Sequence, residues 1–289
     1  MRKLNQSTAL KYALKQFRWR LRRVQTAIRW GTGTIRRAPI VFGNAMPKSG
    51  SHLLTQVLYG LTSLGPFINP GFPPVNRDEA NQPLSDENVF TNIYRMLPGD
   101  IRYGYIHAKE PYLSLLTQPE QATIFLYRDP RDMLVSHVFY ATDLYEGHGM
   151  NRYYAQLDNV EARLNAAIEG VTDPEFSLSN VRERYESYLG WFAQPDVLCL
   201  RFEDLILEQD IALARLLGYL EVRGLDPAVS RNQAVEMLKA VIAPQKSGTF
   251  RKGEPGNWRE HFTPENKKRF KDIAGDLLVE LGYEDREDW

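Results

Sequence analysis

The chain has 289 residues, enough for one large α/β domain with a full core, and its 43% hydrophobic and 25% charged residues are those of an ordinary soluble globular protein. Its formal net charge of zero hides an asymmetry: eleven of the 36 basic residues and none of the 36 acidic ones precede Ala38, and the first acid is Asp78. One cysteine, Cys199, excludes an internal disulfide and a Cys-rich zinc site, and no apolar run approaches the roughly 18–20 residues of a membrane span.

Residues 1–37 read as a basic amphipathic arm. Leu10, Leu14, Phe17, Leu21, Val24 and Ile28 recur at helical spacing after a capping Ser7 or Thr8, while Lys11, Lys15, Arg18, Arg22 and Arg29 repeat on a different face. Three readings are open. The helix docks its apolar stripe on the domain, lies on an anionic membrane surface, or is an Arg-rich organelle transit segment. Gly31-Thr32-Gly33-Thr34 reads as a linker.

Residues 38–289 follow as one domain. Ala38 to Gly43 is expected as a buried strand and Ser51 to Leu64 as a helix closed by Gly65. A proline-rich irregular stretch from Pro66 to about Gln82 follows, of the length that functional loops have. Further strands are expected at Arg102–His107, Ala122–Tyr127 and Val197–Phe202. Helices are expected from Asp129-Pro130 to about Tyr140, and over Val181–Phe192, Gln209–Val222, Ser230–Ile242 and Thr263–Leu281. Alternating strands and helices imply a central parallel β-sheet flanked by helices. Cys199 lies in an apolar run, as a structural thiol would.

The chemistry concentrates at Pro47-Lys48-Ser49-Gly50-Ser51-His52, between the first strand and the first helix of the domain. A strand, a tight turn and a helix N-terminus make an anion site, because backbone N–H groups converge there and the helix dipole favours negative charge. Lys48 supplies charge, Ser49 and Ser51 supply hydroxyls, and Gly50 permits close backbone approach. A P-loop nucleotidase needs Gly-Lys-Ser/Thr, where this chain has Met46-Pro47-Lys48-Ser49.

Pro47 to Ser51 resembles the 5′-phosphosulfate loop of sulfotransferases that use 3′-phosphoadenosine 5′-phosphosulfate (PAPS), most closely the cytosolic small-molecule branch. Tyr127-Arg128-Asp129-Pro130-Arg131-Asp132 with Ser136 resembles the family's 3′-phosphate strand–helix. Arg251-Lys252-Gly253-Glu254-Pro255-Gly256-Asn257-Trp258, followed by Phe262-Thr263, resembles the segment that closes over the nucleotide. The resemblance implies a P-loop-like sulfotransferase fold, PAPS as co-substrate, adenosine 3′,5′-bisphosphate as product, and no metal. It assigns Lys48, Ser49, Gly50, Ser51, His52, Leu53, Arg128, Ser136, Arg251, Lys252 and Gly253 to the nucleotide. His107 takes the place of the family's strand-borne base, Lys48 that of the leaving-group cation, and Ser49 that of the residue restraining Lys48. The physical demand agrees, since two anionic ends need two separate clamps and Arg128 suits fork-like phosphate contact. Histidine suits the base because its ordinary pKa is near neutrality.

The chain departs from the family at Leu53, where an adenine-stacking Trp is frequent, at His52 in place of Thr, and at Asn257 in place of Asp. Phe202 and Phe250 are the candidate adenine surfaces. Pro264 and Lys268 break the family's dimer motif, leaving the oligomeric state open. The expected acceptor is a hydroxyl or amine of a small molecule or glycolipid, with no nucleic-acid partner, in the cytoplasm or peripheral to a membrane through residues 1–37. His148, in a Gly-His-Gly loop, is a further candidate for acceptor contact, whereas His137 reads as packing. Two rival readings are an ATP-dependent kinase and a membrane-associated nucleotide or lipid binder.

Overall fold

Apolar runs rich in Val, Ile, Leu and Phe can be buried on both faces only in a sheet covered on both sides, and four of them become neighbouring parallel strands. The computed structural model describes residues 6–243 and 253–289. Of the described residues, 6–46, 50–127 and 190–243 form one compact unit, and 47–49, 128–189 and 253–289 form another.

The first unit contains the helices α1 (Gln6–Trp30) and α2 (Thr32–Arg37) and then the strand β1 (Ile40–Ala45). There follow α3 (Ser51–Gly60), α4 (Asp86–Tyr94), β2 (Ile101–Gly104), α5 (Tyr112–Leu116) and β3 (Gln121–Tyr127). In the second unit come α6 (Pro130–Phe139), α7 (Asn151–Ala155), α8 (Val160–Glu169), the short strands β4 (Val171–Thr172) and β5 (Ser177–Leu178), and α9 (Val181–Leu189). The chain then returns to the first unit for β6 (Val197–Arg201), α10 (Phe202–Leu207), α11 (Gln209–Val222) and α12 (Arg231–Val241), and α13 (Pro264–Glu280) closes the second.

The sheet order is β2-β1-β3-β6, all parallel, with Gly43 opposite both Tyr103 and Ile124. One face, from Val41, Ala45, Ile124, Leu126 and Leu200, packs into a core with Leu54, Leu58, Leu213, Leu217 and Leu238. Gly43 is on this face because a Cβ there would lie 2.5 Å from Leu58 Cδ1. On the other face, Phe125 and Tyr127 meet the ring of Phe192 edge-on. Since β1 connects onward to β2 on one side and β3 to β6 on the other, β1 and β3 flank a topological switch point. Open α/β sheets bind ligands at the C-terminal ends of such strands.

The expected elements form with ends shifted by a few residues. The Gly31–Thr34 linker is an exception, because residues 32–37 make one further helical turn and a half. Phe67 and Phe72 of the proline-rich stretch are buried, so this loop covers core rather than presenting those rings. Cys199 is half-buried and burial pushes its thiol up to about 11, which leaves it inert at neutral pH.

In the second unit the guanidinium of Arg131, 2% exposed, is a hub. It donates to Asp129 at 2.7 Å and to Glu284 at 2.5 Å, and lies 4.0 Å and 4.5 Å from the ring centroids of Trp258 and Trp289. Arg131→Met removes the buried guanidinium that pairs with Asp129 and Glu284 and is expected to cost about 3 kcal/mol. Urea unfolding followed by tryptophan fluorescence checks this; an unchanged midpoint contradicts the hub.

Candidate active site

The loop after β1 takes two left-handed residues, Lys48 with φ 68° and Gly50 with φ 93°. A non-glycine residue there is strained, a state found at ligand-clamping sites. Ser49 is completely buried, and its Oγ has no hydrogen-bond partner among the described residues. The Lys48 ammonium lies 3.5 Å from the centroid of the Tyr140 ring and makes no ion pair among the described residues. Burial, and then the positive charge of Arg128, lower its pKa to about 8.

On the other side of the Ser49–Gly50 bond, Gly50 lies over the ring of Phe202, whose Cδ2 would be 2.4 Å from any Cβ. Phe202 is 5% exposed and belongs to the core, as does Leu53. Both therefore pack behind the loop. The Ser51 hydroxyl accepts from Tyr105 at 3.0 Å, and His52 is exposed.

Arg128 follows β3 directly. Asp129 caps α6 by accepting the N–H of Arg131, and Pro130 occupies the first turn, as the sequence pattern required. The Arg128 guanidinium is 3.6 Å from Asp132 and donates to the Glu254 carbonyl at 3.3 Å. Its own carbonyl accepts from the Tyr185 hydroxyl at 2.8 Å. Asp132 is buried and accepts from the N–H groups of Gly256 at 2.7 Å and Trp258 at 2.8 Å, so one carboxylate holds both Arg128 and the start of the C-terminal segment. Ser136 is half-buried two turns along α6. Gly253 takes φ 66°, whereas Phe250, Arg251 and Lys252 lie outside the described residues.

His107 is three residues beyond β2, on an extension of that strand held by buried polar groups. Asn44 Nδ2 donates to the Ile106 carbonyl and Asn44 Oδ1 accepts the Ile106 N–H, both at 2.9 Å; Trp191 Nε1 donates to the same carbonyl at 2.9 Å. Burial, and then the Lys109 charge, lower the pKa of His107, opposed by Asp86. Lys109 itself donates to Asp86 at 2.9 Å, as a surface pair. That lowering favours the neutral imidazole at neutral pH.

Sequence reasoning missed Asn44 and Trp191, because neither occurs in a motif and both act through Ile106. It also missed the bond network of Asp132. The sequence signal for Asn44 was a polar residue inside an otherwise apolar strand. Tyr140 begins a π-helical turn continuing α6 over residues 140–144, a distortion frequent at functional positions. Near it, the His148 ring lies edge-on to Tyr140 at 5.7 Å, and its Nδ1 accepts the Met150 N–H. His137 is buried and paired with the Tyr154 hydroxyl at 3.0 Å. Among the described residues no group of three or more His, Cys, Asp or Glu is placed to hold a metal ion.

A parallel sheet with a cationic loop after β1 and an arginine directly after β3 is an α/β architecture with an anion-binding arrangement at the strand ends. Residues 41–282 match the model of the sulfotransferase domain, and the chain belongs to that family, whose reaction is sulfuryl transfer from PAPS. A curated relative, cytosolic sulfotransferase 11 of Arabidopsis thaliana, is 30% identical over 107 residues. That match covers 31% of this chain and 30% of the relative, so it spans less than a third of that protein. Mouse sulfotransferase SULT7A1, solved in complex with PAP, has the same fold, with a TM-score of 0.59 and 18% identity over 88% of this chain and 89% of that one. Retinol dehydratase, solved with androsterone and inactive cofactor PAP, superposes with a TM-score of 0.55 and 14% identity over 85% and 83%.

Two substitutions test the geometry. Gly50→Ala combines the left-handed strain of about 1–2 kcal/mol with a collision against a core ring, and is expected to abolish nucleotide binding measured by calorimetry. Asn44→Ala frees the Ile106 peptide and is expected to lower kcat at least about tenfold through His107, with nucleotide affinity unchanged. Loss of both kcat and affinity would instead mark Asn44 as a general structural support.

Proposed function

We propose that this enzyme transfers the sulfuryl group of PAPS to a hydroxyl or amine of a small-molecule or glycolipid acceptor. In this reading Lys48, Ser49, Gly50 and Ser51 hold the 5′-phosphosulfate, and Arg128 with Ser136 holds the 3′-phosphate. His52 at the loop's far end and Arg251, Lys252 and Gly253 complete the nucleotide contacts, with Phe250 as an apolar surface for adenine. The acceptor heteroatom attacks sulfur as the bond from sulfur to the phosphate oxygen breaks, and His107 takes the acceptor's proton. Lys48 accompanies the charge that develops on the leaving phosphate, and Ser49 restrains Lys48 until then. Residues 38–289 act as the catalytic domain, and the enzyme works in the cytoplasm, attached peripherally to a membrane through residues 1–37.

The observation carrying this reading is the half-buried Lys48 ammonium, its pKa lowered to about 8, in the same left-handed loop as the fully buried Ser49 hydroxyl. The complex of retinol dehydratase with androsterone supports a small-molecule acceptor.

The two lowered pKa values give a signed prediction. His107 must be neutral, so kcat/KM for PAPS falls only as pH drops through a value below the ordinary 6.5. Lys48 must be charged, so kcat/KM falls again as pH rises through about 8. Lys48→Arg is expected to remove the alkaline limb, because a guanidinium keeps its charge there. An alkaline limb that stays near 8 in this variant assigns it to another group.

Calorimetry with adenosine 3′,5′-bisphosphate against ATP tests the donor. The bisphosphate is expected to bind with a Kd on the order of micromolar, lost by at least about tenfold in Arg128→Ala, with little ATP binding. Tighter binding of ATP would favour the kinase reading.

A further inference from the structure

Helix α1 turns its polar face to the protein and its apolar face to solvent. Lys15 pairs with Glu79 at 2.5 Å, and Arg22 donates to the Asn69 carbonyl at 2.8 Å. Trp19 donates to the buried Asp100 at 3.0 Å, and Arg23 pairs with the same carboxylate at 3.4 Å. Residues 15, 19, 22, 23 and 26 therefore form the docked side. On the opposite side Leu10, Leu14, Phe17, Leu21, Val24 and Ile28 are 47–80% exposed and lie within one continuous stripe about 27 Å long. A stripe of this kind on a helix already fastened by its other face is a surface for something apolar.

We infer that α1 docks the enzyme on an anionic lipid bilayer, its apolar stripe entering the interface while its polar face stays fastened to the first unit. The flanks of the stripe are cationic. Lys11 and Arg18 on one side and Arg20 on the other are exposed and form no ion pair among the described residues. Residues 1–37 contain no acid. Two such arms packed stripe to stripe would bring these cations together without a counter-charge, whereas an anionic headgroup layer supplies it. On the Lys11–Arg18 flank, a cleft of about 290 Å³ lined by Arg29, Trp30, Thr62 and Asn69 adds one exposed guanidinium, that of Arg29, to these cations. Placement at a bilayer would bring a soluble catalytic unit to acceptors that partition into lipid.

The test is co-sedimentation of the full chain with phosphatidylcholine vesicles, with and without about one-third phosphatidylserine. Wild type is expected to bind the anionic vesicles at least about tenfold better than the neutral ones, with binding weakened by salt. Phe17→Asp with Leu21→Asp is expected to abolish binding, and Arg18→Glu with Arg20→Glu to reduce it to the neutral-vesicle level. All four side chains are on the solvent side, so thermal unfolding and bisphosphate binding should stay unchanged and serve as the folding control. Equal binding of the Asp variant, or no binding by wild type, overturns the inference. So does a concentration-dependent dimer that the Asp variant abolishes in the absence of vesicle binding, which assigns the stripe to a second copy. Vesicle binding is read without turnover, so its failure leaves the sulfuryl-transfer reading standing.

Discussion

A parallel sheet sends every strand's C-terminus to the same edge, and this constraint organises the first unit and the points where the chain leaves it. With the order β2-β1-β3-β6, the chain leaves β1 into the loop beginning at Pro47, leaves β2 towards His107, leaves β3 at Arg128 and leaves β6 at Phe202. The connections from β1 and β3 diverge, which opens the switch point where loop backbone can meet an anion. Gly43 lets α3 pack closely on β1, so the N-terminus of α3 stays directly behind the loop it caps. Gly50 accepts the left-handed turn with the Phe202 ring against it, so the core itself limits how the loop can move.

Buried polar groups then aim the side chains. A hydrogen bond to a buried peptide is modest in net energy, but leaving its partner unmade is expensive, so a fully satisfied clamp has essentially one geometry. Asn44 and Trp191 clamp the Ile106 peptide, and the residue after it is His107. Asp132 plays a similar part in the second unit, tying Arg128 to the peptides of Gly256 and Trp258. The Arg131 hub holds the C-terminal residues around the same helix. Lys48 is half-buried over the Tyr140 ring, and burial and then the Arg128 charge lower its pKa to about 8.

The arm obeys the same accounting of polar groups with the opposite outcome. Asp100, buried just before β2, needs donors, and Trp19, Arg23 and the Leu97 N–H provide them. Satisfying that carboxylate requires the polar side of α1 to face inward. Helical periodicity then leaves no choice for Leu10, Phe17 and Leu21, which are on the other side.

Much of this was legible from residue order alone. Hydrophobic runs located the strands, Asp129-Pro130 marked a helix start, and the loop from Pro47 to His52 announced an anion site, because these signals depend on neighbours a few residues apart. Strand order, the clamp on Ile106 and the Asp132 network depend on partners tens of residues away, so no local pattern could reveal them. The same holds for the packing of Leu53 and Phe202 into one core cluster. The arm gives the clearest division. Its amphipathic helix is a consequence of periodicity and needs only the sequence, whereas which of its faces meets the protein was decided by one buried carboxylate at Asp100, a tertiary demand that periodicity does not encode.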